Sequence, residues 1–425
     1  MWRYLNKIGD EKNSELSIDD VFAAYFALRK NKRRTPSALR FELDFERRCV
    51  DLHKRINART YHPGRSAVFI VSHPIVREIF APAFEDRIID MILQRKLVPL
   101  LERFYITDSY SIRKGKGVLF AVKRVAQHIR KCSKEYTQDC YILKLDLRSY
   151  FMSLNKEMCL KMMTDFVYRE YKGADKDVLI YLIREVILDC PQHNCQRLTP
   201  PDSWLKLPWH KSLFNVPDNH GLPIGRMTSQ ICAMYVLVQL DKLITKNWGV
   251  RYYGRYMDDM VLIHRDRKYL LQVEQKIKAW LAEHDLSLHP HKRYLQHYTK
   301  GVKFVGVVIK PWRKYISNRT VSRAVERINH YNQLISENKY LVFEYAEEFA
   351  FSLNSFLGMI SHYDSYNVRV NLVRRLDDAW WRVFYFNNGY KRVSVKKRFR
   401  SRFVEQRKIH IQLQNDFTRI IGYTK

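Results

Sequence analysis

The 425-residue chain has no apolar run long enough to cross a bilayer. Its longest, ICAMYVLVQL from Ile231 to Leu240, falls well short of the roughly 20 residues that a spanning helix needs. The first residues, MWRYLNKIGDEKNSELS, lack the apolar centre of a secretion signal, so the expectation is a cytoplasmic protein with no membrane partner. A cysteine framework is missing too. Seven cysteines, an odd number, are scattered along the chain, which excludes a disulfide-stapled secreted fold and fits reduced thiols. CPQHNC holds Cys190, His193 and Cys195, with His210 further on, but no second half-site of matching spacing follows and no structural zinc is expected. Repeats and low-complexity segments are also absent, which leaves a globular chain.

Acidic residues are the scarce charge, 44 Asp plus Glu against 75 Lys plus Arg, for a net +31. That excess is far beyond what solubility requires and points to a polyanionic partner. A membrane surface competes with nucleic acid, but the cations are spread along the whole chain among 27 Tyr and 22 Phe, whose faces suit base stacking.

With 46% hydrophobic residues the chain can bury a large core, and its length suggests two or three modules. Ser17 to Asn57 reads as helical, with Val21, Tyr25 and Leu28 at helical spacing and Pro36 as punctuation, and residues 1–60 are expected to form an N-terminal arm. From Tyr61 to Ile309 short β-rich runs (SAVFIVS, YILKLDL, RYYGRY, MVLIH, VKFVGVVI) alternate with helical stretches such as Lys268 to Glu283, which predicts an α+β body. Residues 320–384 read as three helices. Between Lys391 and Lys408 stand nine Lys or Arg and one Glu, with Phe399 and Phe403 interleaved, which favours a nucleic-acid contact over a solvated face. Lys396, Lys397, Arg398, Arg400 and Arg402 are its candidate residues.

Against this basic background GRYMDDMVLIH sets Asp258 and Asp259 side by side between two strand-like runs. MDD is expected to be a tight turn exposing both carboxylates at the tip of a hairpin. In CYILKLDLRSYFMSL, Asp146 closes an apolar strand with Lys144 two residues earlier on the same face, and a helix is expected to begin near Ser149. A carboxylate among such neighbours is costly unless it is paired or holds a cation. If the Asp146 strand lies beside the hairpin, Asp146 and Asp258, flanked by Asp259, form a hard-oxygen site suited to two Mg²⁺ ions and in-line phosphoryl displacement.

YILKLDLRSYFMSL, GLPIGRMTSQ, RYMDD, LSLHPHKRYL and VKFVGVVI, in this order, resemble the successive palm motifs of reverse transcriptases from about Ser66 to Ile309. The resemblance implies a right-hand polymerase fold: fingers and palm, with an antiparallel palm sheet and helices, over residues 61–315. A helical thumb over 316–385 and a basic tail over 386–425 would follow. Most such enzymes carry Gln-Gly and Ser-Pro where GLPIGRMTSQ has Ile224-Gly225 and Ser229-Gln230. That departure resembles the enzymes of diversity-generating retroelements, within the group II intron-like bacterial reverse transcriptases. SYSIRKGKGVLFAV, LHPHKRYLQHYTKGVKFVGVVIKP and NSFLGMISHYDSYNVR resemble the same group.

What the resemblance implies can be placed residue by residue. Asp146, Asp258 and Asp259 would be catalytic and, with the Leu147 backbone, would hold Mg²⁺ or Mn²⁺. Arg113, Lys114 and Lys116 on the fingers loop IRKGKG, with Lys144, Tyr150, Gly225, Gln230 and Lys292, would surround the incoming dNTP. Phe151 would be the steric gate against a ribose 2′-hydroxyl, and Tyr256 and Met257 would meet nucleic acid. Ile224 would lower fidelity, since it can only pack where a Gln could hydrogen-bond near the templating nucleotide. The partners implied are template RNA, a cDNA/RNA–DNA hybrid, dNTPs and a small basic accessory protein, in a bacterial or phage/prophage setting. The activity implied is mutagenic copying of a template-repeat RNA, most visibly at adenines, for retrohoming into a target gene. An antiphage-defence reverse transcriptase shares these residues and stays open as the alternative. A non-catalytic RNA-binding scaffold conflicts with the intact carboxylates. An intron maturase conflicts with the Ile-Gly and Ser-Gln pairs and with the lack of a His-Asn-His motif after the thumb.

Overall fold

Ser17 and Pro36 start the first helices of the computed structural model, which describes residues 15–30, 35–72 and 75–399. The Ser17 hydroxyl accepts from the Asp19 amide and caps α1 (Ile18–Arg29), and Pro36 opens α2 (Pro36–Glu42) where a missing N–H costs nothing. α3 is Phe45–Asn57. Val21, Ala24 and Tyr25 of α1 and Cys49, Leu52 and Ile56 of α3 belong to the main core together with Ile88 and Leu93 of α4 (Phe84–Leu101). The described part of the N-terminal segment is helical and packs its apolar stripe on α4.

β1 (Ser66–Val71) pairs antiparallel with β2 (Arg77–Ala81), and β4 (Cys195–Arg197) joins β1 in parallel. A second sheet has the order β5-β6-β3-β7, from β3 (Tyr141–Asp146), β5 (Tyr252–Tyr256), β6 (Asp259–His264) and β7 (Tyr294–His297). The period-2 rule sorts its side chains. Leu143, Leu145, Met260, Leu262 and Tyr253 enter the main core, while Lys144, Asp146 and Asp259 take the other face. Fully burying a residue such as Leu143 stabilises the body by about 1.5–3 kcal/mol, so a one-residue slip, which would expose the whole set, is strongly disfavoured. Around the sheets lie α5 (Val118–Cys132), the one-turn α6 (Tyr150–Ser153), α7 (Lys156–Glu170), α8 (Lys176–Leu188), α9 (Met227–Val236), α10 (Val238–Lys242) and α11 (Arg267–Ala282). Ser149, the residue before α6, is left-handed at φ +44°.

The chain divides into two compact units, residues 1–296 and 297–425. In the second, VKFVGVVI is a hairpin and not one strand: Val305 and Gly306 have φ of +44° and +85° and turn β8 (Val302–Phe304) into β9 (Val307–Lys310), which pairs with β10 (Arg313–Ile316). Helices α12 (Asn318–Leu334), α13 (Val342–Ile360), α14 (Tyr366–Val373) and α15 (Asp378–Val383) follow, one more than the three expected. The extra break lies in VRVNLVRRLDDAWWRVF, where the Asp377 carboxylate accepts from the Ala379 amide at 2.9 Å and starts a new helix. Tyr331, Phe349 and Trp380 form the aromatic centre of this unit, with Tyr331 and Phe349 stacked at 4.3 Å. The stretch expected to be tail begins as an antiparallel pair, β11 (Phe384–Phe386) with β12 (Val393–Val395). Lys396 is tied to the Trp381 carbonyl at 2.7 Å, and Arg398 lies 4.8 Å from the Phe399 ring. Arg400 and Arg402 lie outside the described residues. No described helix is long and apolar enough to cross a membrane.

Candidate active site

Antiparallel register brings the carboxylates together. Asp146, the last residue of β3, stands opposite Asp259, the first of β6, and Tyr256 opposite Asp259 leaves Met257 and Asp258 as the two-residue turn. Met257 adopts φ +53°, the left-handed geometry that two-residue hairpin turns require. The aspartates are half-buried rather than displayed at an exposed tip.

Each carboxylate is electrostatically distinct. Lys292 donates to Asp146 Oδ1 at 2.9 Å, and Lys144 Nζ lies 2.8 Å from Asp259 Oδ1. Asp258 makes no ion pair with the described residues, and its carboxylate is met by its own backbone amide. Burial first, then the charges of Asp146 and Asp259, push its carboxyl up to about 6. Burial also raises Asp259, opposed by Lys144. Three hard-oxygen donors gathered at one hairpin end, one of them without an ion pair, have the chemistry that divalent ions take. The loop after α11 is fastened to the site through its backbone: the His289 amide donates to the Asp146 carbonyl at 2.7 Å, and Arg148 to Ser287 at 2.8 Å. Leu147 bridges Leu288 in the same ladder.

Alternation on β5 puts Arg255 on the core side, directly beneath the turn and fully buried. Its guanidinium grips Asp241 at 2.7 and 2.6 Å and donates to the Met257 carbonyl at 2.8 Å, while the Tyr253 hydroxyl donates to the same Asp241 at 2.7 Å. A buried charge survives only when paired in this way. Arg226 is similarly buried between Asp90 (3.3 Å) and Asp189 (3.0 Å) and anchors the start of α9. Neither network was marked in advance, since no motif spacing announces them. Lys211 was also missed. Its ammonium is lowered by burial and by Lys292, and feels the opposing charges of Asp146 and Asp258, so the 201–215 segment brings a further cation toward the carboxylates.

Other candidate residues fall in different places. Arg113 is mostly buried in its own loop, donating to Glu102 at 2.9 Å, to the Ile106 carbonyl at 2.6 Å and to the Ser109 carbonyl at 2.8 Å, so it braces the loop. Lys114 is exposed, and Lys116 donates to the Thr107 carbonyl at 2.9 Å. Tyr150 is a core residue whose hydroxyl donates to the Ala233 carbonyl at 2.6 Å, which removes it from a substrate surface. Phe151 is half-buried and packs with Ile224 against the cluster of Val68, Phe80, Met152 and Leu213. Gly225 has φ +125° and lies so close to Phe80 that a Cβ there would meet its carbonyl oxygen at 2.4 Å, a glycine requirement of the backbone itself. Gln230, Tyr256 and Met257 are half-buried.

A strand-ended carboxylate facing a paired-aspartate hairpin, with a helical module after the sheet, is the architecture of right-hand polymerases. The chain belongs to the reverse transcriptase (RNA-dependent DNA polymerase) family, which matches residues 76–309. It is similar to Protein YkfC of Escherichia coli (strain K12), with 22% identity over 295 residues, 61% of this chain and 70% of that one. Among solved structures it is similar to telomerase from Candida albicans in complex with a TWJ fragment of telomeric RNA (12% identity, TM-score 0.42) and to apo telomerase from Candida tropicalis (14%, TM-score 0.45). Those alignments cover 75% and 74% of this chain but only 60% and 55% of the telomerases.

Proposed function

We propose that the chain copies RNA into DNA, with Asp146, Asp258 and Asp259 as the carboxylates of the nucleotidyl-transfer site. The carrying observation is Asp258, half-buried between two other carboxylates with no protein cation of its own. Two Mg²⁺ ions held by these side chains and the Leu147 carbonyl would activate a primer 3′-hydroxyl and offset charge on the leaving pyrophosphate. Lys292 holds Asp146, Lys144 holds Asp259, and Arg255 fixes the turn carbonyl, so the carboxylates are oriented before substrate arrives. Lys211 and Lys114 supply positive charge for the triphosphate, and Phe151 stands where a ring would exclude the 2′-hydroxyl. Residues 61–315 act as fingers and palm, 316–385 as thumb and the basic segment after 386 as a phosphate contact, with Lys397 and Arg398 exposed. The test is primer extension on a defined RNA template. Magnesium-dependent incorporation of dNTPs, at least about a hundredfold preferred over NTPs, is expected, and no extension by the folded protein would overturn the assignment.

The finer reading is error-prone copying by a diversity-generating retroelement enzyme, acting with template-repeat RNA and a small basic accessory protein. Its support is Ile224. The Ile224 carbonyl accepts from the Phe80 amide at 2.8 Å, which fixes the backbone, and its apolar side chain shares a cluster with Phe151. An isoleucine at this position can offer a nascent pair no polar contact. Ile224→Gln is expected to lower the ratio of incorrect to correct incorporation opposite template adenine by roughly tenfold, the effect of about 1–3 kcal/mol for an unpaired buried polar group. Equal ratios for the two proteins would make position 224 a packing residue only.

A further inference from the structure

The structure brings a third ligand-type side chain to the cysteine–histidine turn that had no partner in the sequence. Cys190 and His193 sit on one tight turn, closed by the His193 amide to the Cys190 carbonyl at 3.0 Å. Asp218 comes from a second turn, closed by the His220 amide to the Pro217 carbonyl at 2.8 Å. The Cys190 sulfur, a His193 ring nitrogen and an Asp218 oxygen all lie within 4.8 Å of one another, with His193 Nε2 2.8 Å from Asp218 Oδ1. Bonds of about 2.0–2.3 Å in a tetrahedron put donor atoms roughly 3.3–3.8 Å apart, so small side-chain rotations suffice to enclose an ion. Cys195, by contrast, turns to the Gln192 carbonyl at 3.7 Å and stands outside this group.

A buried cation lies against the sulfur. Lys156 is 1% exposed, and its ammonium donates to the Asp189 carbonyl at 2.7 Å and to the Cys190 sulfur at 3.1 Å, with no carboxylate in ion-pair range among the described residues. The Asp189 and Asp218 carboxylates also feel its charge, so the ammonium ties both turns together electrostatically. Gln192 donates its amide to Asp218 at 2.9 Å, while its buried Oε1 accepts no hydrogen bond from the described residues.

We propose that Cys190, His193 and Asp218 bind one Zn²⁺, with water as the fourth ligand. One thiolate and one carboxylate neutralise the ion, and a mixed sulfur, nitrogen and oxygen set selects zinc over magnesium. The ion clips together the two turns that bracket residues 195–217, the excursion carrying Lys211, immediately before the Gly221 to Gln230 segment. Asp218 is distant in sequence, which is why spacing alone excluded the site.

The experiment titrates the metal-stripped full chain with Co²⁺ in excess Mg²⁺ and reads the thiolate-to-cobalt charge-transfer band, which carboxylate sites cannot produce. One equivalent of Co²⁺ is expected, displaced by Zn²⁺. Cys190→Ser abolishes the band, Cys195→Ser keeps it, and Asp218→Asn weakens Zn²⁺ at least tenfold, since losing a ligand exceeds the roughly 10–100-fold loss seen for outer partners. A folded wild-type chain with no band, or a band that survives Cys190→Ser or follows Cys195 instead, overturns the proposal. If Cys190→Ser does not fold, the exposed Asp218→Asn decides, and unchanged affinity there overturns it.

Discussion

Asp146→Asn and Asp258→Asn each reduce dNTP incorporation by on the order of 10³-fold or more, while affinity for template RNA stays within about twofold. The amide keeps the shape of the carboxylate and removes its charge, so what is lost is the affinity for divalent ions and the alignment they impose. RNA affinity is carried by a net +31 spread along the chain, and one charge at the site hardly alters it. Single-nucleotide incorporation and equilibrium RNA binding, measured on the same preparations, separate the two terms. Near wild-type incorporation by Asp258→Asn would remove the carboxylates from the chemistry altogether.

Asp241→Ala has the largest expected effect on stability. It leaves the Arg255 guanidinium, fully buried, without its carboxylate, a loss of about 3–5 kcal/mol. For a unit of this size that lowers the melting temperature by on the order of 10 °C. The double variant Arg255→Met, Asp241→Leu removes both charges and recovers part of the stability, the remainder being the Tyr253 hydroxyl left without its acceptor. It does not recover turnover, since the Met257 carbonyl has lost the donor that fixes the aspartate turn. Thermal unfolding and turnover number, read on both variants, test this. If the double variant regains full activity, the turn holds its shape without Arg255.

Local chemistry made a good part of the molecule legible. The alternation of YILKLDL and MVLIH placed strands that the structure contains, and Ser17, Pro36 and Asp266 mark helix starts that a capping argument can find. A carboxylate at the end of an apolar strand and a pair in a turn stand out because ionisable groups are costly there. The partners of Arg113 were not legible: a cation in a glycine-containing loop reads as a phosphate ligand, and only the fold reveals Glu102 and two carbonyls around it.

The sequence by itself determined the strand faces, the positive field and the identity of the candidate carboxylates, because periodicity, charge and side-chain chemistry are local properties. Only the tertiary structure decided who pairs with whom. Lys292 reaches Asp146 across 146 residues, Asp241 meets Arg255 from a helix, and Asp218 closes on Cys190 and His193 from another loop. Such choices follow from the register of β3 against β6 and from helices burying their apolar faces, and no short stretch of chain contains them. Tyr150 shows the same limit. Its hydroxyl has a core carbonyl within reach, and satisfying it there costs less than leaving a buried donor unpaired.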